Sequence, residues 1–440
     1  MASPIQASTY EEFTITSADG SKVVSLIGGI IKFQYFENLL SPNITAILEI
    51  FNTGNTIDGQ GLYNGLPVRG GERVYFKIKT PIEANAEGEE QLELVLYVNK
   101  ITGVVANKAR ESLTLHLCSR EAITNEQTRV TRKFYGQTID QSVEQIIKLT
   151  DPLKLTEFEK CENSYNFIGN LRKPFTVISW LQSKAIPVGA TSKSAGFFFW
   201  QTRKGFHFKS VDTLIKDGIE GDVKDEKTKQ TKLPSFYYSE TYDNSLEDAF
   251  ASSTKILSFS VLNDNNILDD LNSGVQSTYR IFFNPVSFEF TEPQNSMFKE
   301  RPANTLGEAY EPPKIADPEN IPGVYMASRI ISEVYDVGTL DVGVSTQINY
   351  NQIDSTSQAI TRYGMLFNTN VKLSIPCMTN LCAGDAIMLY FPKVTDEEPQ
   401  INDRMSGIYI IKELTHVFLP QNSFTSLRVV KDTHGLNPEK

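Results

Sequence analysis

Gly384-Asp385-Ala386-Ile387-Met388-Leu389, preceded by Leu381, leads into Tyr409-Ile410-Ile411-Lys412 and then Leu427-Arg428-Val429. The same order of landmarks stands near the start of the chain. Leu66 precedes Gly71-Glu72-Arg73-Val74-Tyr75-Phe76, followed by Tyr97-Val98-Asn99-Lys100 and Leu113-Thr114-Leu115-His116-Leu117. The offset is 313 at the glycine–acid pair and 312 at the tyrosines and at Leu115 and Leu427. In both places an acidic loop falls between the second and third landmarks, Glu87-Gly88-Glu89-Glu90 early and Asp396-Glu397-Glu398 late. Two copies of one β-module in a single chain point to a ring-building or scaffolding protein rather than to a lone catalytic centre.

The residues around the first copy carry the period of strands. Val74, Phe76 and Ile78 alternate with Tyr75, Lys77 and Lys79, so one face is buried and one is wet. Leu92, Leu94, Leu96 and Val98 follow the same rule, as do Leu113, Leu115 and Leu117. Gly54-Asn55 and Gly70-Gly71 supply turns. Residues 23–120 therefore read as antiparallel β that closes into a small barrel or sandwich, which protects strand edges. The second copy runs from Val371 to Val430, with its first strands expected near 256–290.

Between the copies the period changes. Ile139, Val143, Ile146 and Ile147 share one helical face, with Thr138 as N-cap. A second helix starts at Pro174 and stops before Pro187. Phe197-Phe198-Phe199-Trp200, a Gln-Thr-Arg-Lys-Gly turn and Phe206-His207-Phe208 form a hairpin. Lys216–Lys232 holds five lysines and five acids and reads as a solvated linker. Glu292–Gly323 contains six prolines and reads as an irregular arm, and Ile353–Tyr363 as a short amphipathic helix.

Length and composition narrow the function. At 440 residues the chain exceeds one ordinary core, and two to four domains are expected. A net charge of −11 and a pI of 5.1 argue against general nucleic-acid binding, which draws on Lys and Arg against phosphates. The start of the chain shows no secretory pattern, and Val23–Ile31, broken by Ser25 and two glycines, is far short of the ~20 residues of a membrane helix. Four cysteines are too few for a disulfide scaffold. A soluble product of a reducing cytoplasm is the expectation.

No local pattern supports catalysis. His116, His207, His416 and His434 are scattered, without metal-ligand spacing. His116 and Cys118 share the polar face of one strand and read as surface or interface residues. Cys377 and Cys382 read as two reduced thiols, and Asp269-Asp270 and Asp396-Glu397-Glu398 as solvated loop acids. Gly59, Gly61 and Gly65 lack a following Gly-Lys-Ser or a helix, so they do not make a phosphate loop. Phe197–Trp200 reads as sheet core, since no basic groove accompanies it. No catalytic, cofactor-binding or metal site is expected, and no enzyme activity.

The segments Lys173–Ala185 with Gly196–Ser210, Ala383-Gly384-Asp385 with Ser406–Ile411, and Thr425–Gly435 resemble the baseplate hub proteins of contractile-tailed bacteriophages, relatives of the hub part of type VI secretion spike proteins. The resemblance implies a mainly β chain with two similar antiparallel barrels, an α+β unit and an irregular insertion. The expected division is 1–120 for the first barrel, 121–235 for the α+β unit, 236–292 with 364–440 for the second barrel, and 293–363 for the proline-rich arm. It further implies a homotrimer whose six barrels form a ring between a six-fold tail tube and a three-fold central spike, in the baseplate of the virion. Implied partners are the spike, the tube or its initiator, and tape-measure and wedge proteins. DNA would pass the lumen without being held, and no membrane insertion is implied. Spike proteins of the secretion system carry hub and spike on one chain, whereas this sequence stops ten residues after the last strand, so the spike is expected as a separate partner. The alternatives are a cell-wall or glycan hydrolase on a β-scaffold and a tail receptor-binding protein.

Overall fold

A computed structural model of the chain describes residues 7–52, 57, 60–80, 91–107, 110–150, 155–189, 196–221, 233–238, 254–264, 266–275, 277–285, 287–291, 294–296, 305–307, 328–334, 352–393 and 401–433. The first module consists of β1 (Thr9–Thr16), β2 (Val23–Ser25), β3 (Ile30–Asn38), β4 (Thr45–Asn52), β5 (Arg73–Lys79), β6 (Leu92–Asn107) and β7 (Arg110–Cys118), with a short helix α1 (Leu62–Gly65). The alternation seen in the sequence is the one that folds. Val74, Phe76, Ile78, Leu96, Val98, Leu113, Leu115 and Leu117 are all buried in one core, as period-two strands with one wet face require.

The α+β unit follows, with α2 (Arg120–Gln127), β8 (Lys133–Phe134), α3 (Ile139–Ile147), β9 (Leu155–Phe158), β10 (Phe167–Ile168), α4 (Pro174–Gln182), and the hairpin β11 (Phe197–Thr202) and β12 (Gly205–Ser210). Thr138 caps α3 in a capping box with Gln141, and Pro174 occupies the first turn of α4. Helix α5 (Val211–Gly221) then replaces the first part of the expected linker. Its apolar side, Val211, Leu214 and Ile215, is buried in spite of the neighbouring charges. The remainder of that linker, 222–232, lies outside the described residues.

The second module comprises β13 (Ser235–Tyr238), β14 (Lys255–Ile256), β15 (Ser258–Asn263), and, after an insertion, β20 (Thr369–Pro376), β21 (Ala386–Tyr390), β22 (Gly407–Phe418) and β23 (Ser423–Lys431). The insertion holds helix α6 (Ile267–Ser273), a small sheet of β16 (Ser277–Phe283), β17 (Phe290–Thr291), β18 (Gln294–Ser296) and β19 (Arg329–Val334), and helix α7 (Gln352–Leu366). This corrects the expected boundaries. Residues 277–291 do not join the second module, because β16 pairs with β17, β18 and, in parallel, β19. Asn266 caps the start of α6 and Gly274, at φ +80°, ends it, turning the chain away from the large sheet. The insertion thus begins near 264, is not wholly irregular, and closes with a helix that runs past 363.

The modules share a strand order, although the outermost strand differs in direction: β1 runs antiparallel to β5, whereas β13 runs parallel to β21. In the first the strands lie in the order β3-β4-β7-β6-β5-β1, and in the second in the order β15-β20-β23-β22-β21-β13. Local bonding repeats too. Gly71 N–H donates to Val98 O (2.7 Å) and Val98 N–H to Glu72 O (2.9 Å), while Gly384 N–H donates to Ile411 O (2.8 Å) and Ile411 N–H to Asp385 O (2.9 Å). The acid after each glycine ties back its own turn: Glu72 accepts from Arg69 N–H (2.7 Å) and Asp385 from Cys382 N–H (2.9 Å). Both long strands slip register at an equivalent place, between Val98 and Lys100 in β6 and between Ile411 and Glu413 in β22, and β6 slips again between Thr102 and Val105.

One landmark of the repeat is off by a residue. Pairing sets Val98 opposite Leu117 and Ile411 opposite Val429, so the 313 offset holds as far as Thr102 and Thr415 in β6 and β22, and is 312 in the next strand. Tyr409 therefore corresponds to Leu96, and Tyr97 to Ile410. A step of one residue changes the face of a strand. Tyr409 lies in the shared core, while Tyr97 faces outward.

Candidate functional site

The two modules join edge to edge, β3 against β22, into one 14-stranded sheet among the described residues. The antiparallel seam sets Phe33 opposite Phe418 and Tyr35 opposite His416. Phe33 and Phe418 stack at 5.8 Å and Tyr35 and His416 at 5.9 Å, the kind of cross-strand pair that stabilises a sheet by roughly 0.2–1 kcal/mol. His416 is fully buried, and its Nδ1 lies 2.9 Å from Thr425 Oγ1. Burial, with a smaller contribution from the nearby Arg203, pushes the imidazole down to about 3, so the ring is neutral at neutral pH.

One carboxylate ties three segments together at this seam. Glu37 Oε1 accepts from Tyr35 OH (2.7 Å) in the first module and from Arg203 N–H (2.8 Å) at the hairpin turn of the α+β unit. Glu37 Oε2 accepts from Ala383 N–H (2.9 Å) in the second module. Burial pushes this carboxyl up to about 7, against those three bonds, which favour the ionised form. Beside it, Trp200 Nε1–H donates to Ala383 O (2.8 Å). A Cβ added at Gly384, φ +92°, would lie 2.6 Å from the Trp200 ring, so the indole fits only against glycine. Gln201 donates to Glu121 (3.0 Å) and accepts from Ile44 N–H (3.3 Å). The hairpin tip is thus wedged against both modules. A second tie joins helices to strand: Arg362 donates to Asp212 (2.7 Å) and to the buried Asp432 (3.4 Å).

Glu37, Tyr35 and His416 have the chemistry of an acid–base site but are sealed from solvent, so no substrate reaches them. Their arrangement holds the modules in fixed relation.

No family model matches this sequence, and no curated protein matches it. Solved structures do. The 43 kDa tail protein of prophage MuSo2 from Shewanella oneidensis superposes with a TM-score of 0.51, over 96% of this chain and 98% of that one, at 10% identity. The fold is that of a phage tail protein. The tail protein from Neisseria meningitidis MC58 aligns over 96% of this chain and 97% of its own at 9% identity, TM-score 0.49. The Escherichia coli c3393 protein, a component of the type VI secretion system, aligns over 93% of this chain and 76% of its own at 9% identity, TM-score 0.42.

Within this tail-protein fold the residues singled out in the sequence stay apart. His116 meets Thr102 Oγ1 (2.9 Å), and Cys118 on the same strand is buried, its thiol pushed up to about 11, so the pair does not share a polar surface. His207 stacks on Trp200 at 4.9 Å and meets Thr202 Oγ1 (2.8 Å), and burial pushes it down to about 4. Cys377 and Cys382 are buried thiols. Asp269 and Asp270 sit in the first turn of α6, not in a loop. Gly61 does precede a helix, contrary to expectation, but α1 has four residues and Tyr63 N–H at its start already donates to Glu111 (3.1 Å). His434, Gly59, Glu87–Glu90 and Asp396–Glu398 lie outside the described residues. Among the described residues no group of three or more His, Cys, Asp or Glu is placed to hold a metal ion, and no helix is long and apolar enough to cross a membrane.

The hairpin Phe197–Trp200 is core on both faces. Phe197 and Phe199 belong to the α+β core, Phe198 and Trp200 to the layer against the second module. Sequence reasoning missed Glu37 as a junction. Its sole signal is an acid in a strand whose alternate positions Phe33 and Tyr35 face the core, which puts Glu37 on the buried side.

Proposed function

We propose that this chain is a structural hub of a contractile phage tail, without catalytic activity. Three copies form a ring of six modules in the baseplate, joining a six-fold tail tube to a three-fold central spike. The observation that carries the reading is the duplicated strand order, with the two modules joined by the β3–β22 seam. Modules joined head to tail through different edges build a ring when the rotation closes. The fold shared with the MuSo2 tail protein supports a tail role. The net charge of −11 suits a lumen past which DNA slides without being held. The sealed state of Glu37, Tyr35 and His416 supports a mechanical rather than chemical task for the polar seam.

Light scattering on the purified chain tests this. The expected particle is about 148 kDa, three times 49.3 kDa, with a pseudo-six-fold outline in particle images. A monomer at every concentration, with and without a spike partner, overturns the reading. A turbidity assay on bacterial cell walls is expected to show no clearing. Clearing abolished by one carboxylate substitution would establish an enzyme instead.

A further inference from the structure

The seam that joins the modules inside the chain has two counterparts left open at its ends. In the seam, residues 413–418 of β22 pair with β3, while β23 holds the other edge of β22. The equivalent of β22 is β6. Beyond Val98 its partner among the described residues is β7 alone, so no described strand pairs with the other edge of residues 100–106. The equivalent of β3 is β15. Leu48 pairs with Phe33 and Leu115, and Leu373 pairs with Phe259 and Leu427, so Phe259 corresponds to Phe33. Among the described residues β15 pairs only with β20.

Burial follows the same division. Phe33 and Tyr35 are wholly buried in the seam and Val417 is 6% exposed. On the open strands Val104 and Val105 are 41% and 64% exposed, and Val261 and Leu262 are 39% and 45% exposed. Aliphatic residues on an unpaired strand edge invite pairing with another chain unless a bulge blunts it. Each open strand does carry such a bulge, at Gly103–Val104 in β6 and next to Leu262 in β15.

We propose that the bare edge of β6 pairs antiparallel with the bare edge of β15 in a second copy of this chain, repeating the β3–β22 seam between chains. This deepens the ring reading above and rests on it. The two edges differ, so the contact is head-to-tail and each chain keeps one edge of each kind until the ring closes. The internal seam supplies the register. Val105 lies opposite Ser112 as Val417 lies opposite Phe424, and Ser112 and Phe424 share the 312 offset, so Val105 takes the place of Val417. Ser260 takes the place of Gln34, one residue after Phe259. Val417 pairs with Gln34, so Val105 of one chain faces Ser260 of the next, and Ala106 faces Phe259. In the same register the bulge at Gly103–Val104 lies opposite Val261, beside the bulge at Leu262, so the two irregularities fall together in the pair.

The test is cross-linking of the full-length chain. Native Cys118, Cys161, Cys377 and Cys382 are all buried, so disulfides report the introduced thiols. Val105→Cys with Ser260→Cys in one chain, under mild oxidation, is expected to give covalent dimers and trimers that a reductant returns to monomer. Directly opposed strand residues have the short Cβ separation a disulfide needs. Each single variant is expected to stay monomeric on a denaturing gel, and a mixture of the two singles to give dimers only. Ala106→Cys with Phe259→Cys is the companion pair. A particle that scatters as a trimer while neither pair cross-links overturns the edge assignment and leaves the ring standing. Cross-linking of a single variant to itself also overturns it, since that requires like edges to meet. A chain that stays monomeric at every concentration removes the ring reading and the edge assignment together.

Discussion

The two modules share a strand order, a glycine–acid turn and a bulge, yet their outer faces differ. In the second module Met388, Ile408, Ile410 and Val430 are buried under α5, α7 and the aromatic hairpin, so both faces of β21 and β22 are covered. In the first, Tyr75, Val95 and Tyr97 on the corresponding face stand half-exposed. One design of strands therefore serves two settings. What is built around a module, rather than the module itself, decides how costly a change to its outer face will be.

The largest contrast is expected at corresponding outer positions. Ile410→Ala removes a fully buried side chain and should cost about 2–5 kcal/mol. Tyr97→Ala at the equivalent half-exposed site should cost less than about 1 kcal/mol. Equal losses in denaturant unfolding would show that the outer faces are equally covered.

The turn glycines sharpen the comparison, because their backbones match. Gly71 has φ +91° with open space around a Cβ, and Gly384 has φ +92° with Trp200 at 2.6 Å. Gly71→Ala should cost only the left-handed strain, about 1–2 kcal/mol. Gly384→Ala adds displacement of the indole, about 1–3 kcal/mol more. In the double background Trp200→Ala the gap between the two glycine variants should close, and a gap that persists would place the clash elsewhere.

Acid tests the seam. His416 titrates near 3 in the folded chain against an ordinary 6.5, so the unfolded chain binds the extra proton between those values. Its contribution is present above pH 6.5 and is lost as pH falls toward 3, with a slope of up to about 1.4 kcal/mol per pH unit. Glu37 acts in the opposite sense. Its folded value near 7 lies above the ordinary 4.5, so the folded chain binds the extra proton and stability falls as pH rises from 4.5 to 7. The two partly cancel between pH 4.5 and 6.5. His416→Phe should flatten the acid loss in thermal unfolding, and Glu37→Gln should steepen it. No change in either profile would show that these groups are not titrating in the folded seam.

The smallest contrast lies in the turn acids. Glu72→Ala leaves the Arg69 and Gly70 amides without their acceptor, and Asp385→Ala leaves Cys382 N–H. These bonds are part-buried, so water replaces some of what is lost and each costs about 0.5–1.5 kcal/mol. Burial raises the Asp385 carboxyl, so removing it recovers part of that loss. Glu72→Ala is therefore the more damaging change, by about 1 kcal/mol.

Much of the fold was legible because its signals are local. Val74, Phe76 and Ile78 show their period without reference to any partner, Thr138 and Pro174 mark helix starts by their own chemistry, and the repeat is visible as spacing. The Tyr97–Tyr409 match misled because residue identity cannot register the one-residue step between strands, which only pairing reveals. Lys216–Gly221 read as linker because charge masked the apolar stripe of α5, and 277–291 read as module strand because strand propensity does not name a partner.

The sequence alone determined that this protein is mainly β, that it contains one module twice, and that an α+β unit lies between the copies. Alternation and turn chemistry act over a few residues, so they survive without the fold. Only the tertiary structure decided that β3 meets β22, that Glu37 takes hydrogen bonds from three segments, and that the equivalent edges of β6 and β15 have no strand partner among the described residues. These contacts join positions hundreds of residues apart, as Glu37 and Ala383 are, and depend on which edges remain when all other strands have found their partners.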